Sequence, residues 1–127
     1  MAGSVRASGP MLVRPTGLAY EPLGIADAVR AELAPAIGPG ESATLGCGFA
    51  HFEDCTFPWR LSYDECVYIL EGRMELEMGD ATLTAEAGDV VFLPEGSDVR
   101  YRFEGPCRLF YATYPADWAR TREASDA

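Results

Sequence analysis

FPWRLSYDECVYILEGRMEL, residues 57–76, is the stretch whose reading decides the fold. Within it a carboxylate, Glu65, is followed by an apolar run and a glycine, Gly72, placed to close a turn. Past Gly72, Met74, Leu76 and Met78 alternate with Glu75 and Glu77, the period-2 pattern of a half-buried antiparallel strand with one wet face. Gly79-Asp80 is the kind of pair that turns a hairpin. Working outward, ATLGCGFAHFE, LSYDECVYILE, RMELEMG, ATLTAEAG, DVVFLPEG, DVRYRF and CRLFYATY recur about every ten residues, separated by Gly, Pro and Asp. Many short strands with regular turns predict an all-β sandwich or closed barrel.

The flanks read differently. MLVRPTGLAY, residues 11–20, suggests a short strand against the domain. Ile25, Val29 and Leu33 stand at i, i+4 and i+8, which suggests a short amphipathic helix ended by Pro35. The expected organisation is an N-terminal arm over 1–41, one barrel domain over 42–118 and a flexible tail over 119–127.

What the chain lacks narrows its chemistry. Its 127 residues include no Lys, no Asn, no Gln and a single histidine, His51. Schiff-base and P-loop chemistry both need a lysine. A site built from two or three imidazoles of one chain is ruled out by the count alone. The net charge of −10 argues against nucleic acid or an anionic membrane as partner, since both are met by clustered cations. No apolar run reaches the length of a membrane span, and MAGSVRASGP has no signal-peptide core, so the expected location is cytoplasmic. Cys47, Cys55, Cys66 and Cys107 form no C-x-x-C pair and are expected to be reduced, buried thiols.

Two spacings carry a resemblance. Glu65-x6-Gly72 and Gly88-x5-Pro94-x-Gly96 are similar to the end of the first and the start of the second motif of the cupin superfamily. The positions where such motifs place metal-binding histidines fall here on Trp59 and Leu61 (Pro58 and Arg60 with the longer spacing) and on Val99; the closing Asn falls on Phe103. More narrowly, FPWRLSYDE, YILEG, AGDVVFLPEGS and RLFYATYPADW resemble the ethanolamine-utilisation cupins of the EutQ type. That resemblance implies a single-domain cupin jelly-roll barrel and a link to ethanolamine metabolism, and it carries an attributed acetate-kinase activity. Cupins commonly pair, so a homodimer is also expected.

Strand parity then phases the pocket. With Glu65 inward, Trp59, Leu61, Tyr63, Val67 and Ile69 share its direction, while Asp64, Cys66 and Tyr68 point away. Val99, Tyr101 and Phe103 form the inner face of a later strand, with Arg100 and Arg102 outside. A bulge between Trp59 and Tyr63 would turn Arg60 inward. The candidate catalytic residues are Glu65 and Tyr63; the candidate ligand contacts are Trp59, Arg60, Val99, Tyr101 and Phe103. No metal or other cofactor is expected, with one alternative: if its strand faces inward, His51 and Glu53 join Glu65 in a displaced mixed-ligand site. The leading expectation is a metal-independent binder of a small polar metabolite; an enzyme of ethanolamine or acetate metabolism and a dimeric scaffold are the alternatives.

Overall fold

In the computed structural model, which describes residues 9–118, eight strands account for most of the chain. They are β1 (Glu21–Pro22), β2 (Arg30–Ile37), β3 (Gly46–Arg60), β4 (Asp64–Glu71), β5 (Arg73–Met78), β6 (Ala81–Glu86), β7 (Val90–Leu93) and β8 (Asp98–Tyr114). Every pairing is antiparallel. The expected all-β barrel is what the chain forms.

Two long strands organise it. The first half of β3 pairs with the second half of β8, from Gly46↔Thr113 to Glu53↔Pro106. The second half of β3 pairs with the first half of β8, from Cys55↔Phe103 to Arg60↔Asp98. Between these halves the register slips: Asp54 takes a left-handed conformation (φ 49°), Gly105 another (φ 72°), and the Gly105 N–H donates to Asp54 Oδ1 at 2.7 Å. Both strands thus pass from one sheet into the other. The first sheet runs β1-β2-β3-β8-β4-β7; β5 and β6 extend the second half of the β3–β8 ladder into the facing sheet. DVRYRF and CRLFYATY, which read as two strands, are therefore one, bent rather than broken at Glu104–Pro106.

Inside the barrel, side chains alternate in and out along each strand, and on β3 the bulge at Asp54 changes the inward positions from even to odd numbers. Ala50, Phe52, Cys55, Phe57 and Trp59 of β3, Val67 and Ile69 of β4, Met74 and Leu76 of β5, and Val99, Tyr101, Phe103, Cys107, Leu109 and Tyr111 of β8 make one buried core. Outside, the two sheets differ. The β5–β8 face carries a ladder of opposite charges, Arg73, Arg100 and Arg102 against Glu75, Glu77 and Glu104. The outer face of the first sheet is apolar at its centre: Val90 and Phe92 are each 63% exposed and Tyr68 43%, with Cys66 exposed beside Phe92.

Three expectations are corrected. Residues 23–35 form no helix: Gly24 (φ 85°) and Asp27 (φ 63°) turn the chain, and Arg30–Ile37 is strand β2. A four-residue spacing is an even number, so it fits alternate strand positions as well as a helix face; Ala31 and Leu33 are the positions that pack on the core. Pro35 is tolerated because the β2–β3 register slips just beyond it. The segment 11–20 holds a short 3-10 turn at Pro15–Gly17, and the first strand begins only at Glu21. Of the thiols, Cys55 and Cys107 are buried and Cys47 partly so, but Cys66 is exposed. The segment expected as a tail, 119–127, lies outside the described residues.

Candidate functional site

The site is built around β4. Its start is fixed by the Pro-x-Gly turn after β7. Gly96 N–H donates to the Leu61 carbonyl at 2.7 Å, and Leu61 N–H to the Ser97 carbonyl at 2.8 Å. Asp64 Oδ1, on the outer side, accepts from Glu95 N–H at 2.8 Å. Asp64 thus secures the turn, and its neighbour Glu65 projects inward between Leu93 of β7 and Thr113 of β8.

Inside is a cavity of about 50 Å³. A water needs about 10–15 Å³ measured in this way, so the space admits three to five waters or a ligand of similar bulk. Rings of Phe52, Phe57, Trp59, Tyr63, Tyr101 and Trp118 wall it. Among its described lining residues Glu65 is the one charged side chain.

Glu65 retains some accessible surface through the cavity yet is enclosed by protein, and that burial pushes its pKa up to about 7; a hydrogen bond from Tyr101 pulls the other way. The Tyr101 hydroxyl donates to Glu65 Oε1 at 3.4 Å, a long contact that leaves the carboxyl room for further partners. Burial and the nearby Glu65 together hold the Tyr101 phenol well above its ordinary range. Trp59 Nε1 donates to the Tyr63 hydroxyl at 2.8 Å, which fixes that phenol against the cavity wall. Chemically, the arrangement offers a carboxyl able to gain or lose a proton near neutrality, ringed by phenols that can donate or accept.

Of the residues expected here, Glu65, Tyr63, Trp59 and Tyr101 meet at the cavity. Val99 and Phe103 point inward and are buried, but neither reaches the cavity surface; Phe103 stacks on Phe52 at 4.3 Å, a core role. Arg60 is exposed, cross-strand from Asp98; β3 runs without a break through Trp59, so no bulge turns the guanidinium in. His51 and Glu53 alternate with buried Ala50 and Phe52 and so lie outside, on the other side of the sheet from Glu65. The displaced metal site is therefore not formed. His51 instead sits 3.3 Å from Arg30 Nη1, with its pKa lowered by burial and then by Arg30 and Arg108.

The cavity residues that escaped the sequence reading include Phe52 and Phe57 of its wall, Tyr111 and Trp118. Tyr111 is buried (4% exposed), and its hydroxyl has no hydrogen-bond partner among the described residues. A side chain on Gly48 would put Cβ 2.6 Å from that oxygen, so glycine at 48 makes the space the phenol occupies. Trp118 packs 5.5 Å from Tyr63 and 6.3 Å from Trp59, ring centre to ring centre. Phasing RLFYATY outward from Leu109 would have found Tyr111; no strand periodicity reaches Trp118, which follows β8.

Comparison with known proteins agrees with this geometry. An RmlC-like cupin from Shewanella frigidimarina superposes with a TM-score of 0.71 at 15% identity, covering 88% of this chain and 96% of that one, a likeness of fold. The solved EutQ protein of Clostridium difficile superposes with a TM-score of 0.71 at 32% identity, covering 76% of this chain and 69% of that one. A curated Clostridioides difficile protein named acetate kinase EutQ is 38% identical over 79 residues, 62% of this chain; the chain spans 50% of that relative's length. The profile of the family described as ethanolamine utilisation protein EutQ matches residues 33–120. With its cupin barrel and this match over more than half its length, the chain belongs to the EutQ family of ethanolamine utilisation proteins.

Proposed function

We propose that the protein binds a small polar metabolite in the aromatic cavity without a metal ion, with Glu65 as the central contact. The observation that carries this is an enclosed carboxyl with one long hydrogen bond, facing open space among rings. Few but convergent polar groups in an apolar pocket are the usual form of a small-molecule site. The positions of cupin histidines hold Trp59, Leu61 and Val99, which leaves too few ligands for a tight first-row metal. The open space beside Glu65 also speaks against an inert interior and a purely scaffolding role. In a thermal-shift screen of small polar metabolites, at least one raises the melting temperature of the wild type and not of Glu65→Gln. A screen with no response, or a response unchanged in the variant, overturns the proposal.

A second reading comes from the relative named acetate kinase EutQ. Phosphoryl transfer depends on positive charge against the phosphate oxygens. This chain has no lysine, and no arginine is among the described residues that line the cavity. The same protein incubated with ATP and acetate is expected to form no acetyl phosphate above a blank; turnover lost in Glu65→Gln would favour the enzyme instead.

The proposal extends to pairing of two copies through the outer face of the first sheet. In a chain of net charge −10, the uncharged centre of this face is where a like-charged copy can approach. Its exposed Val90, Phe92 and Tyr68 would give such a contact an apolar centre. Cys66 lies in the middle, cross-strand from Phe92 and Ala112. Its labelling by a thiol reagent should be fast in dilute protein and slow several-fold at high concentration; a rate independent of concentration counts against this face.

A further inference from the structure

We infer that Trp118 and Leu23 form an apolar lid over the mouth of the aromatic cavity, and that Trp118 governs the access of water and small molecules to Glu65. The inference deepens the reading of the cavity as a ligand site and rests on it for the lid's purpose, but its test needs no ligand. The first observation is where the cavity meets solvent. Among its described lining residues, all are buried except Leu23, Leu33, Trp118 and Glu65. Glu65 is enclosed by the barrel, so the other three mark the rim.

Two of these three lie outside the strands. Leu33 belongs to β2, whereas Leu23 follows β1 and Trp118 follows β8. On one side the Trp118 ring packs on Tyr63, Trp59 and Tyr111, with ring centres 5.5, 6.3 and 6.4 Å apart. On the other side the Leu23 N–H donates to the Ala31 carbonyl at 2.8 Å, and beyond it residues 24–29 join no ladder. This loop turns through two left-handed residues, Gly24 and Asp27, and an open cleft runs beside it, bounded by Gly24, Ile25, Arg30 and Glu32. Leu23, Ile25 and Ala28 are only partly buried against the core. A segment held by so few apolar contacts opens locally at far less cost than global unfolding.

What the lid acts on is Glu65. Tyr101 is its hydrogen-bond partner among the described residues, through Oε1. The titratable groups that face it are the phenols of Tyr63, ahead of β4, and of Tyr101 and Tyr111 on β8; its cross-strand neighbours Leu93 and Thr113 do not titrate. No arginine, histidine or second carboxyl is among the described lining residues, on the arm or elsewhere. Exclusion of water, not a neighbouring charge, therefore sets the proton affinity of this carboxyl. Trp118 is the part of the wall that can leave without disturbing a strand. With the lid open a molecule enters; with it closed, Glu65 returns to apolar surroundings, where each polar contact it makes is stronger.

The test compares the wild type with Trp118→Phe and Trp118→Ala in the full chain, once near-UV circular dichroism has shown both variants folded. Each variant keeps one tryptophan, Trp59 of the cavity wall, so its fluorescence reports the cavity alone. Acrylamide is the probe, a neutral quencher whose entry the net charge of −10 does not bias. Quenching of Trp59 is expected to be several-fold steeper in Trp118→Ala than in Trp118→Phe. The carboxyl carbon resonance of Glu65, identified by its loss in Glu65→Gln, should titrate near 7 in the wild type and in Trp118→Phe. In Trp118→Ala its midpoint should fall at least halfway toward the ordinary 4.5. If Trp118→Ala does not fold, Leu23→Ala in the Trp118→Phe protein takes its place, with the same two expectations. Equal quenching in the compared variants overturns the lid. Steeper quenching with an unmoved midpoint overturns the hold of Trp118 on Glu65. Neither result touches the ligand-site reading, which the metabolite screen decides separately.

Discussion

Glu65→Gln should melt about 10 °C above the wild type at pH 8, with the difference closing toward pH 4.5. Free in an unfolded chain, a glutamate loses its proton near 4.5; in the barrel, burial raises that value to about 7. Between these values the native state holds a proton that the unfolded chain has released, so wild-type stability falls as pH rises through the window and levels off above it. A gap of this size amounts to roughly 3 kcal/mol at pH 8, and about 1 kcal/mol moves the melting temperature of a domain this size by several degrees. Gln has the same shape, can accept from Tyr101 and has no proton to lose. Melting both proteins from pH 4.5 to 8 checks this, and parallel curves would show that Glu65 is not enclosed. The same substitution that stabilises the empty protein is expected to abolish ligand binding, the trade-off typical of groups kept for function.

The second large effect belongs to Gly72→Ala. Gly72 has φ 84°, a conformation side chains rarely adopt. A Cβ there would also run into the Pro106 carbonyl oxygen and stand 2.9 Å from Cys107 Cα. Both are backbone atoms of β8, near the point where that strand crosses between sheets, so neither can give way locally. The expected loss is several kcal/mol, seen as a melting temperature lowered by 10 °C or more or as failure to fold. Gly79→Ala is the comparison: φ is 60°, but nothing lies within 4 Å, so only the turn's conformational cost of about 1 kcal/mol remains. Equal effects at the two positions would refute the close approach at Gly72.

The contrast between these residues shows what a linear reading reaches. Strands and their inner faces were legible because burial on one side imposes a period of two, as in Met74 and Leu76 against Glu75 and Glu77. The inward direction of Glu65 followed from the same rule. Where the period was ambiguous, the reading failed: Val29 and Leu33 stand four apart, and β2 is a strand because β3 offers it a ladder, which no local pattern records. Depth was equally hidden. Val99, Tyr101 and Phe103 share one face of β8, yet only Tyr101 reaches the cavity; ring stacking of Phe103 on Phe52 fills the space before it. Arg60 was drawn inward by an expected bulge between Trp59 and Tyr63, whereas the regular alternation of β3 from Cys55 onward sends it out. Trp118 belongs to the site through a chain reversal after β8, a fact of three dimensions alone.

The sharing of β3 and β8 between both sheets governs how the barrel comes into being. Gly46 meets Thr113 and Arg60 meets Asp98, so each sheet depends on a closure between distant parts of the chain. The two sheets share the same two strands, so the native pairing of each rests on the same long-range closure. Such a topology has high contact order and few local shortcuts, and domains of this type reach the native state in about milliseconds to seconds.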